Sequence, residues 1–358
     1  MGEVLGTLLA AYAIQYVFCT FFVAGVVPKL LQPFDWLPVY IYVGWDSDWY
    51  RDLYRSFDVY VWPPLYPYTL RFITFLFGFA PETSFAKSAL LLNVVSHAVI
   101  VTGLSAYVRH DVRLKGVAPW VVVFLVLFYP GHNVFFAAYA ESYFLALTVV
   151  ALLLRQREHV AAASLVAGLA SLVRIMGSFL VVALFAEQVF YCIRDRKLHW
   201  QRLLAASLGL FMVAGWQLAL SLNGTNSVAA GHEWVRELVA NHVPPGTNPK
   251  LWVLQYVSFS WHAEPIAFWV SIVAIGYCGW KRRYAEMFYI VAFYLSLAVY
   301  IYRPFPWTRY VSVLFPIQLM IADVLKNKPR LTCAVLMISA ATCCYIQRDL
   351  FRDYYGEP

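Results

Sequence analysis

Two aspartates stand among tryptophans in the segment 43–52, which has the sequence VGWDSDWYRD. A carboxylate beside a substrate hydroxyl can take its proton as a general base, and Asp46 and Asp48 both offer one. The flanking Trp45 and Trp49 offer flat rings on which a sugar can stack. The segment therefore predicts acid–base chemistry on a substrate that carries hydroxyl groups.

The same two acids also form an Asp-x-Asp pair, which in soluble enzymes that use nucleotide sugars holds a divalent metal ion. Nucleotide sugars are not usually available outside the cytoplasm, and the charge distribution described below places this segment there. We therefore expect no metal ion and no cofactor. One acid then acts as the base, and the other orients the acceptor or bonds a nearby arginine or backbone N–H. A metal site at the pair is the alternative.

A second set of polar residues lies at the ends of apolar runs much further along the chain. Its members are His132, Asn133, Glu141, Arg174, Arg303 and Arg309. A charge at the end of an apolar run is costly, so its default interpretation is functional. Guanidinium groups bind phosphate in a forked geometry, and a carboxylate can move a proton. The set predicts a site for a substrate that contains an anionic phosphate.

Simpler explanations exist for several of these side chains. A carboxylate in the first turn of a helix is stabilised by the helix dipole, which would account for Glu141. An arginine at a helix end can extend to lipid headgroups, which would account for Arg303 or Arg174. His132 is of a kind more often found in ordinary loops than as a ligand. His97 and Asn93 share one face of an apolar run, which indicates hydrogen bonds across helices.

The composition is that of a membrane protein. Of the 358 residues, 61% are hydrophobic and only 13% are charged, whereas soluble domains carry about 25% charged residues. The net charge of +7 is typical of basic cytoplasmic loops, and we expect no binding of nucleic acid because no soluble basic domain exists. The six cysteines lie in or beside apolar runs, and their spacing matches no metal-ligand pattern.

Apolar runs of about 17 to 25 residues predict membrane-spanning helices. Eleven such runs lie at 4–27, 86–108, 117–130, 136–154, 160–175, 177–193, 203–222, 264–280, 285–302, 309–325 and 331–347. The segment 64–81 is short and carries Arg71 and several prolines, so it is either a twelfth span or a helix that lies in the membrane interface. The fold class predicted is an all-α polytopic membrane protein that forms a single domain over 1–358.

The distribution of basic residues favours the interfacial alternative. If 64–81 does not cross, five short loops (RHDVRLK, RQRE, RDRKLHWQR, KRR and KNKPR) share one side of the membrane and hold 15 of the 27 Lys and Arg. That side is predicted to be the cytoplasm. The segment 28–85 is then the first extracytoplasmic loop and 223–263 a long later one. All the candidate site residues are predicted to share this outer face.

Four segments resemble, in order, the motifs of a known family. They are WDSDWY at 45–50, PPLYP at 63–67, ESYFLAL at 141–147 and LASLVRIMG at 169–177. They are similar to the GPI mannosyltransferase 2 family and its prokaryotic relatives, which are polytopic glycosyltransferases of the GT-C fold class. WTRY at 307–310 resembles an arginine-containing segment late in that family.

The resemblance implies transfer of mannose from dolichyl- or polyprenyl-phosphate-mannose to a glycolipid or a lipid-linked glycan. It implies an active site on the extracytoplasmic or ER-lumenal face, inversion at the anomeric carbon, and no metal ion. Asp46 matches the acid of the family's Trp-Asp motif and is the implied general base. Glu141 and Ser142 lie in the family's Ser-Glu-Ser motif, whose first serine is Ala140 here.

The remaining candidate residues follow from the same resemblance. Arg174 lies in an Arg-x-x-Gly motif that ends at Gly177, and with Arg309 and Arg303 it is expected to hold the donor phosphate. Tyr66 lies in the PLYP segment and, with His132, Asn133 and the tryptophans, is expected to support the acceptor. Two features depart from the family: Asp48 is an additional acid, and the gap between the first two motifs is short.

Three other functions compete with this one. A GT-C enzyme could use a different polyprenyl-phosphate sugar. A transporter or flippase would place its polar residues near the middle of the membrane and often has two related halves, whereas the polar set here is predicted to lie at one face. A structural subunit of a larger membrane complex would fit the composition but would leave Asp46, Glu141 and Arg174 unexplained.

Overall fold

The computed structural model describes residues 6–7, 9–10, 12–13, 31–34, 37–42, 46–55, 63–81, 83–129, 138–222, 263–300 and 311–355. The two strands are β1 (Leu31–Phe34) and β2 (Leu37–Tyr42). The helices within these ranges are α1 (Asp46–Arg55), α2 (Leu65–Phe77), α3 (Ser84–His110), α4 (Pro119–Leu127), α5 (Glu141–Gln156), α6 (Val160–Val173), α7 (Gly177–Arg194), α8 (Trp200–Leu222), α9 (Ala263–Trp280), α10 (Tyr284–Tyr300), α11 (Phe315–Leu325) and α12 (Pro329–Tyr355).

Within the described ranges, three helices are long and apolar enough to cross a membrane, by length and composition. They are α3, α7 and α8, and the predicted runs 86–108, 177–193 and 203–222 match them closely. Other predicted runs contain shorter helices: α4 has 9 residues and α11 has 11. At 1.5 Å per residue these extend about 14 and 17 Å, well short of the roughly 30 Å hydrocarbon layer. The fold is therefore a helical membrane fold, and the number of eleven spans stays a prediction.

The structure adds a β-hairpin that the sequence did not lead us to expect in the segment 28–85. Its strands are antiparallel, with Leu31 opposite Tyr42, and the register is irregular between Pro33 and Phe34. Proline has no N–H to donate to a strand ladder, which explains an irregularity at that point. The sequence of β2, LPVYIY, is rich in β-branched and aromatic residues, which favour strands.

Helix α2 occupies the segment whose crossing was in question. It has 13 residues and ends at Gly78, whose left-handed backbone (φ 62°) closes the last turn. Its length of about 20 Å is too short for a span. Tyr66 and Leu70 are buried on one face, while Phe72 and Phe75 are exposed on the other. Such a two-sided helix is typical of a membrane interface, and its interfacial position and the side on which it lies stay predictions.

The chain divides into two compact units. The first consists of Met1–Asp58, Pro64–Leu153 and Ile321–Pro358, and the second of Val59–Pro63 and Leu154–Met320. In the first unit, hydroxyl groups join α1, α2 and α3. The Tyr54 hydroxyl is hydrogen-bonded to Thr74 (2.8 Å) and to Ser84 (2.7 Å), and Thr74 is hydrogen-bonded to Ser88 (2.7 Å). These bonds fix α1 and α2 against the start of α3.

In the second unit, small residues allow α6 and α8 to pack closely. The Ser164 hydroxyl donates to the Ala206 carbonyl (2.7 Å) and accepts from the Gly209 N–H (2.9 Å). A Cβ added at Gly209 would lie 2.5 Å from the Ser164 carbonyl oxygen, so no larger residue fits there. Packing of small residues with hydrogen bonds between helices is the usual way in which helices associate in lipid.

Candidate functional site

The acid motif folds as the start of a helix. Asp46 is the first residue of α1 and Asp48 the third, where carboxylates are favoured by the helix dipole. The side chains of Asp46, Asp48 and Trp49 lie outside the described part of the structure. Their backbone positions are nevertheless informative, because residues four apart on a helix share a face. Tyr50 is therefore on the same face of α1 as Asp46.

Tyr50 connects this helix face to α2. Its side chain is buried, and its ring packs edge-on against the ring of Tyr66, with the ring centroids 4.8 Å apart. Edge-to-face contacts of this kind add about 0.5–1.5 kcal/mol beyond the area that they bury. Tyr50 is a component of the site that the sequence analysis missed, although its spacing of four residues from Asp46 could have pointed to it.

Tyr66 in turn lies beside Glu141, the first residue of α5. Both side chains are almost fully buried. Burial raises the pKa of the Tyr66 hydroxyl well above its ordinary value, and the nearby Tyr50 and Glu141 raise it further. The hydroxyl therefore keeps its proton and can serve only as a donor or acceptor of hydrogen bonds, not as a base. Within the described part of the chain it makes no hydrogen bond, so it is available to one.

Ser142 follows Glu141 and is joined to α3. Its hydroxyl is 3.2 Å from Nε2 of His97, and Nδ1 of the same ring is 2.8 Å from the Tyr12 hydroxyl. His97 is 1% exposed. The prediction that His97 bonds across helices is thus confirmed. Tyr12 was missed, because nothing in its local sequence distinguishes it from other aromatic residues of the first apolar run.

Arg174 belongs to the second unit, where it ends α6 in an extended conformation (φ −146°, ψ 140°). Its side chain is 7% exposed, which differs from that of an arginine extended toward lipid headgroups. The turn that follows depends on Gly177. A Cβ there would lie 2.2 Å from the Ser171 nitrogen and 2.3 Å from the Ala170 carbonyl carbon. The two ends of the Arg-x-x-Gly motif are therefore linked by a turn that only glycine permits.

A groove of the second unit opens beside this turn. It is lined by Pro63, Ser171, Ile175, Ser178, Val213, Trp216 and Gln217. One side of the groove is formed by α6, α7 and the turn between them, and it includes Ile175, which follows Arg174. The other side is formed by α8. Its walls combine apolar side chains with hydroxyl, amide and indole groups.

Five of the predicted site residues lie outside the described residues. They are Trp45, His132, Asn133, Arg303 and Arg309. Within the first unit, the structure brings together Tyr66, Glu141 and Ser142 and connects them to the helix of Asp46 through Tyr50. The prediction that the arginines share this face stays a prediction. Among the described residues, no group of three or more His, Cys, Asp or Glu could hold a metal ion.

A buried ion pair in the second unit explains Glu187, which stands in the middle of a predicted span. The Arg155 guanidinium donates from Nη2 to Oε1 of Glu187 (2.8 Å) and from Nε to Oε2 of the same carboxylate. The Tyr191 hydroxyl also donates to Oε1 (3.2 Å). Arg155 had been counted with the exposed basic loops, yet it is buried in the last turn of α5. Arg283, also counted there, is buried 3.7 Å from Glu286.

Comparison with known proteins finds a match among solved structures. No family model and no curated protein matches the chain. A crystal structure of the oligosaccharyltransferase of Archaeoglobus fulgidus, in complex with Zn and sulfate, is similar with a TM-score of 0.56 and 15% sequence identity. The match covers 98% of this chain and 53% of the other, so the chain spans about half the length of its neighbour. At this identity the likeness shows the fold alone: the chain has the GT-C glycosyltransferase fold.

Proposed function

We propose that this protein is a mannosyltransferase. It takes mannose from dolichyl- or polyprenyl-phosphate-mannose and transfers it to a glycolipid or lipid-linked glycan, on the extracytoplasmic or ER-lumenal face and with inversion. One observation carries the proposal: in a chain with a GT-C fold, Tyr50 and Tyr66 connect the helix that begins at Asp46 to the buried carboxylate of Glu141. The two acids come from two motifs of the resembled family.

The two acids have different roles in the proposed reaction. The acceptor hydroxyl attacks the anomeric carbon, and its proton passes to the Asp46 carboxylate as the new C–O bond forms. The bond from the anomeric carbon to the phosphate oxygen breaks, and the polyprenyl phosphate leaves. The Glu141 carboxylate accepts hydrogen bonds from hydroxyls of the transferred sugar. The Ser142 hydroxyl accepts or donates one, and the protonated Tyr66 hydroxyl is a further donor.

The leaving phosphate is stabilised by arginines. Arg174 binds it together with Arg309 and Arg303, because guanidinium groups match the charge that develops on its oxygens. A single phosphate leaving group needs less help from a metal ion than a diphosphate does, so no metal ion is required. Asp48 and the aromatic residues around it bind the acceptor.

Transfer by purified protein tests this proposal directly. Labelled dolichyl-phosphate-mannose is supplied with a panel of glycolipid acceptors, with and without EDTA. Asp46→Asn should lower kcat by about 100- to 10,000-fold, the usual contribution of a general base. Asp52→Asn is the matched control, since it removes the same charge from an exposed position of the same helix. Equal activity in the two variants would remove Asp46 as the base.

The same assay separates the competing functions. Faster transfer from another polyprenyl-phosphate sugar would keep the GT-C mechanism and change the donor. Loss of transfer in EDTA would favour a metal ion, at the Asp-x-Asp pair in particular. Movement of labelled lipid across sealed vesicles, with no transfer to any acceptor, would favour a flippase instead.

A further inference from the structure

His97 joins two distant chain segments in the interior of the first unit. It lies in the middle of α3, which runs Ser84–His110, and both of its ring nitrogens are within hydrogen-bond distance of a hydroxyl. A neutral imidazole donates through one nitrogen and accepts through the other. The hydroxyls of Tyr12 and Ser142 can each do either, so both tautomers satisfy the chain Tyr12–His97–Ser142.

The hydrogen-bonded chain Tyr12–His97–Ser142 ends at the start of α5, where the helix backbone is weakly held. The first turn of a helix contains N–H groups that have no partner within the helix, and Ser142 is the second residue of α5. A side-chain bond at that point therefore has more influence on the position of the first turn than it would have in mid-helix. Glu141, the adjacent residue, moves with the same turn.

The position of Glu141 matters because of what it faces. Its carboxylate acts on Tyr66, which belongs to α2, whereas its backbone belongs to α5. The relative position of the two groups thus depends on how the start of α5 is held against the neighbouring helices. His97 provides that hold from α3, through Ser142.

We infer that His97 is a positioning residue that controls which sugar hydroxyl pattern the enzyme accepts. This inference rests on the proposed function, in which the Glu141 carboxylate hydrogen-bonds a hydroxyl of the transferred sugar. A site built to bond a hydroxyl rejects an analogue without it by as much as about 10,000-fold. A displacement of about 1 Å can cost about 100-fold in rate. Loss of His97 therefore reduces the discrimination as well as the rate.

The test compares donors on one enzyme preparation. Polyprenyl-phosphate-mannose and its monodeoxy analogues are transferred by wild type, His97→Leu and Ser88→Ala. Ser88 is the matched control: it lies on the same helix, is equally buried, and has a hydrogen bond to Thr74 on α2 and not to α5. The ratio of kcat/KM for parent and analogue does not depend on the fraction of folded protein. We expect that ratio to fall at least about 10-fold in His97→Leu for one analogue and to change much less in Ser88→Ala, because Thr74 on α2 keeps its bond to the Tyr54 hydroxyl.

A second measurement does not need transfer. Hydrogen exchange of the peptide covering 138–145 should be faster in His97→Leu than in Ser88→Ala, and His97→Gln, which can still bond Ser142, should restore part of both effects. Equal exchange in the leucine and alanine variants would overturn the positioning role. Faster exchange with an unchanged donor ratio would overturn the control of specificity. If wild type transfers no sugar at all, the proposed function fails, and the exchange result still decides whether His97 holds the start of α5.

Discussion

Replacing Gly177 by alanine tests the turn that holds Arg174. The added Cβ would meet backbone and not a flexible side chain: its nearest atoms would be the Ser171 nitrogen at 2.2 Å, the Ala170 carbonyl carbon at 2.3 Å and the Ser171 Cα at 2.5 Å. Real Cβ atoms essentially never approach other atoms more closely than 3.0 Å. The end of α6 and the start of α7 must therefore move apart by roughly an ångström, since overpacked sites relax by shifting their backbone.

The expected cost follows from that shift. Overpacking destabilises by about 1–3 kcal/mol, and more where backbone must move. Gly215→Ala is the matched control: it is the same substitution in another helix of the same unit, and its Cβ would have no atom within 4 Å. It should be neutral or stabilising, by up to about 1 kcal/mol. The two variants should thus differ by about 1–4 kcal/mol.

Thermal unfolding of the detergent-solubilised protein measures this difference. One kcal/mol shifts the midpoint of a domain of 150–250 residues by about 2–4 °C, so Gly177→Ala should unfold at least about 2 °C below Gly215→Ala. The phosphate affinity of Gly177→Ala should fall as well, because Arg174 moves with the turn. Equal midpoints would show that α6 and α7 separate without cost, and the reasoning about the Arg-x-x-Gly motif would be wrong.

Two further predictions concern the ion pair and the topology. Arg155→Leu should lower stability by about 3–5 kcal/mol, because it leaves the buried Glu187 carboxylate without its charged partner, and Glu187→Leu should lower it by less, because Arg155 keeps the exposed Glu158 at 3.1 Å. The double variant should be more stable than Arg155→Leu; additive losses in the same unfolding assay would contradict this. In a cysteine-free background, Asp52→Cys and Lys115→Cys, both exposed, should react with a membrane-impermeant label from opposite sides. Labelling from one side would mean that α2 crosses.

The long helices were predictable because they depend on local composition. The run 177–193 became Gly177–Arg194, and 203–222 became Trp200–Leu222. In lipid, every backbone group of a span must be bonded within the span, so an apolar run of sufficient length has few alternatives to a helix. The hairpin of β1 and β2 was not predictable in this way, since short strands depend on a partner as well as on their own sequence.

The basic residues show the limit of counting charges. Arg155 and Arg283 were placed in cytoplasmic loops by their position in the sequence, yet both are buried beside carboxylates. Glu187, the buried carboxylate that binds Arg155, lies 32 residues away, and no local pattern identifies it; the exposed Glu158 is a second, local partner. A charge at the end of an apolar run can therefore face lipid headgroups or protein, and only the tertiary structure distinguishes them.

The sequence identifies residues of the candidate site but does not identify the contacts that they make. Tyr66, Glu141 and Ser142 were chosen from motifs, and the structure brings them together in one unit. Tyr50, which packs against Tyr66, and Tyr12, which bonds His97, are aromatic residues in an aromatic-rich chain, so their identity carries little information before the fold is known.

Two of the buried glutamates, Glu187 and Glu141, can be assigned different roles by what surrounds them. Both oxygens of Glu187 accept from Arg155, and such charge-assisted bonds are roughly twice as strong as neutral ones. A substrate hydroxyl could displace them only at a large cost, so Glu187 serves the structure. Glu141 lies near the Tyr66 hydroxyl, which keeps its proton and can donate a hydrogen bond to a bound sugar. Of these two carboxylates, Glu141 is therefore the one that we propose for sugar recognition.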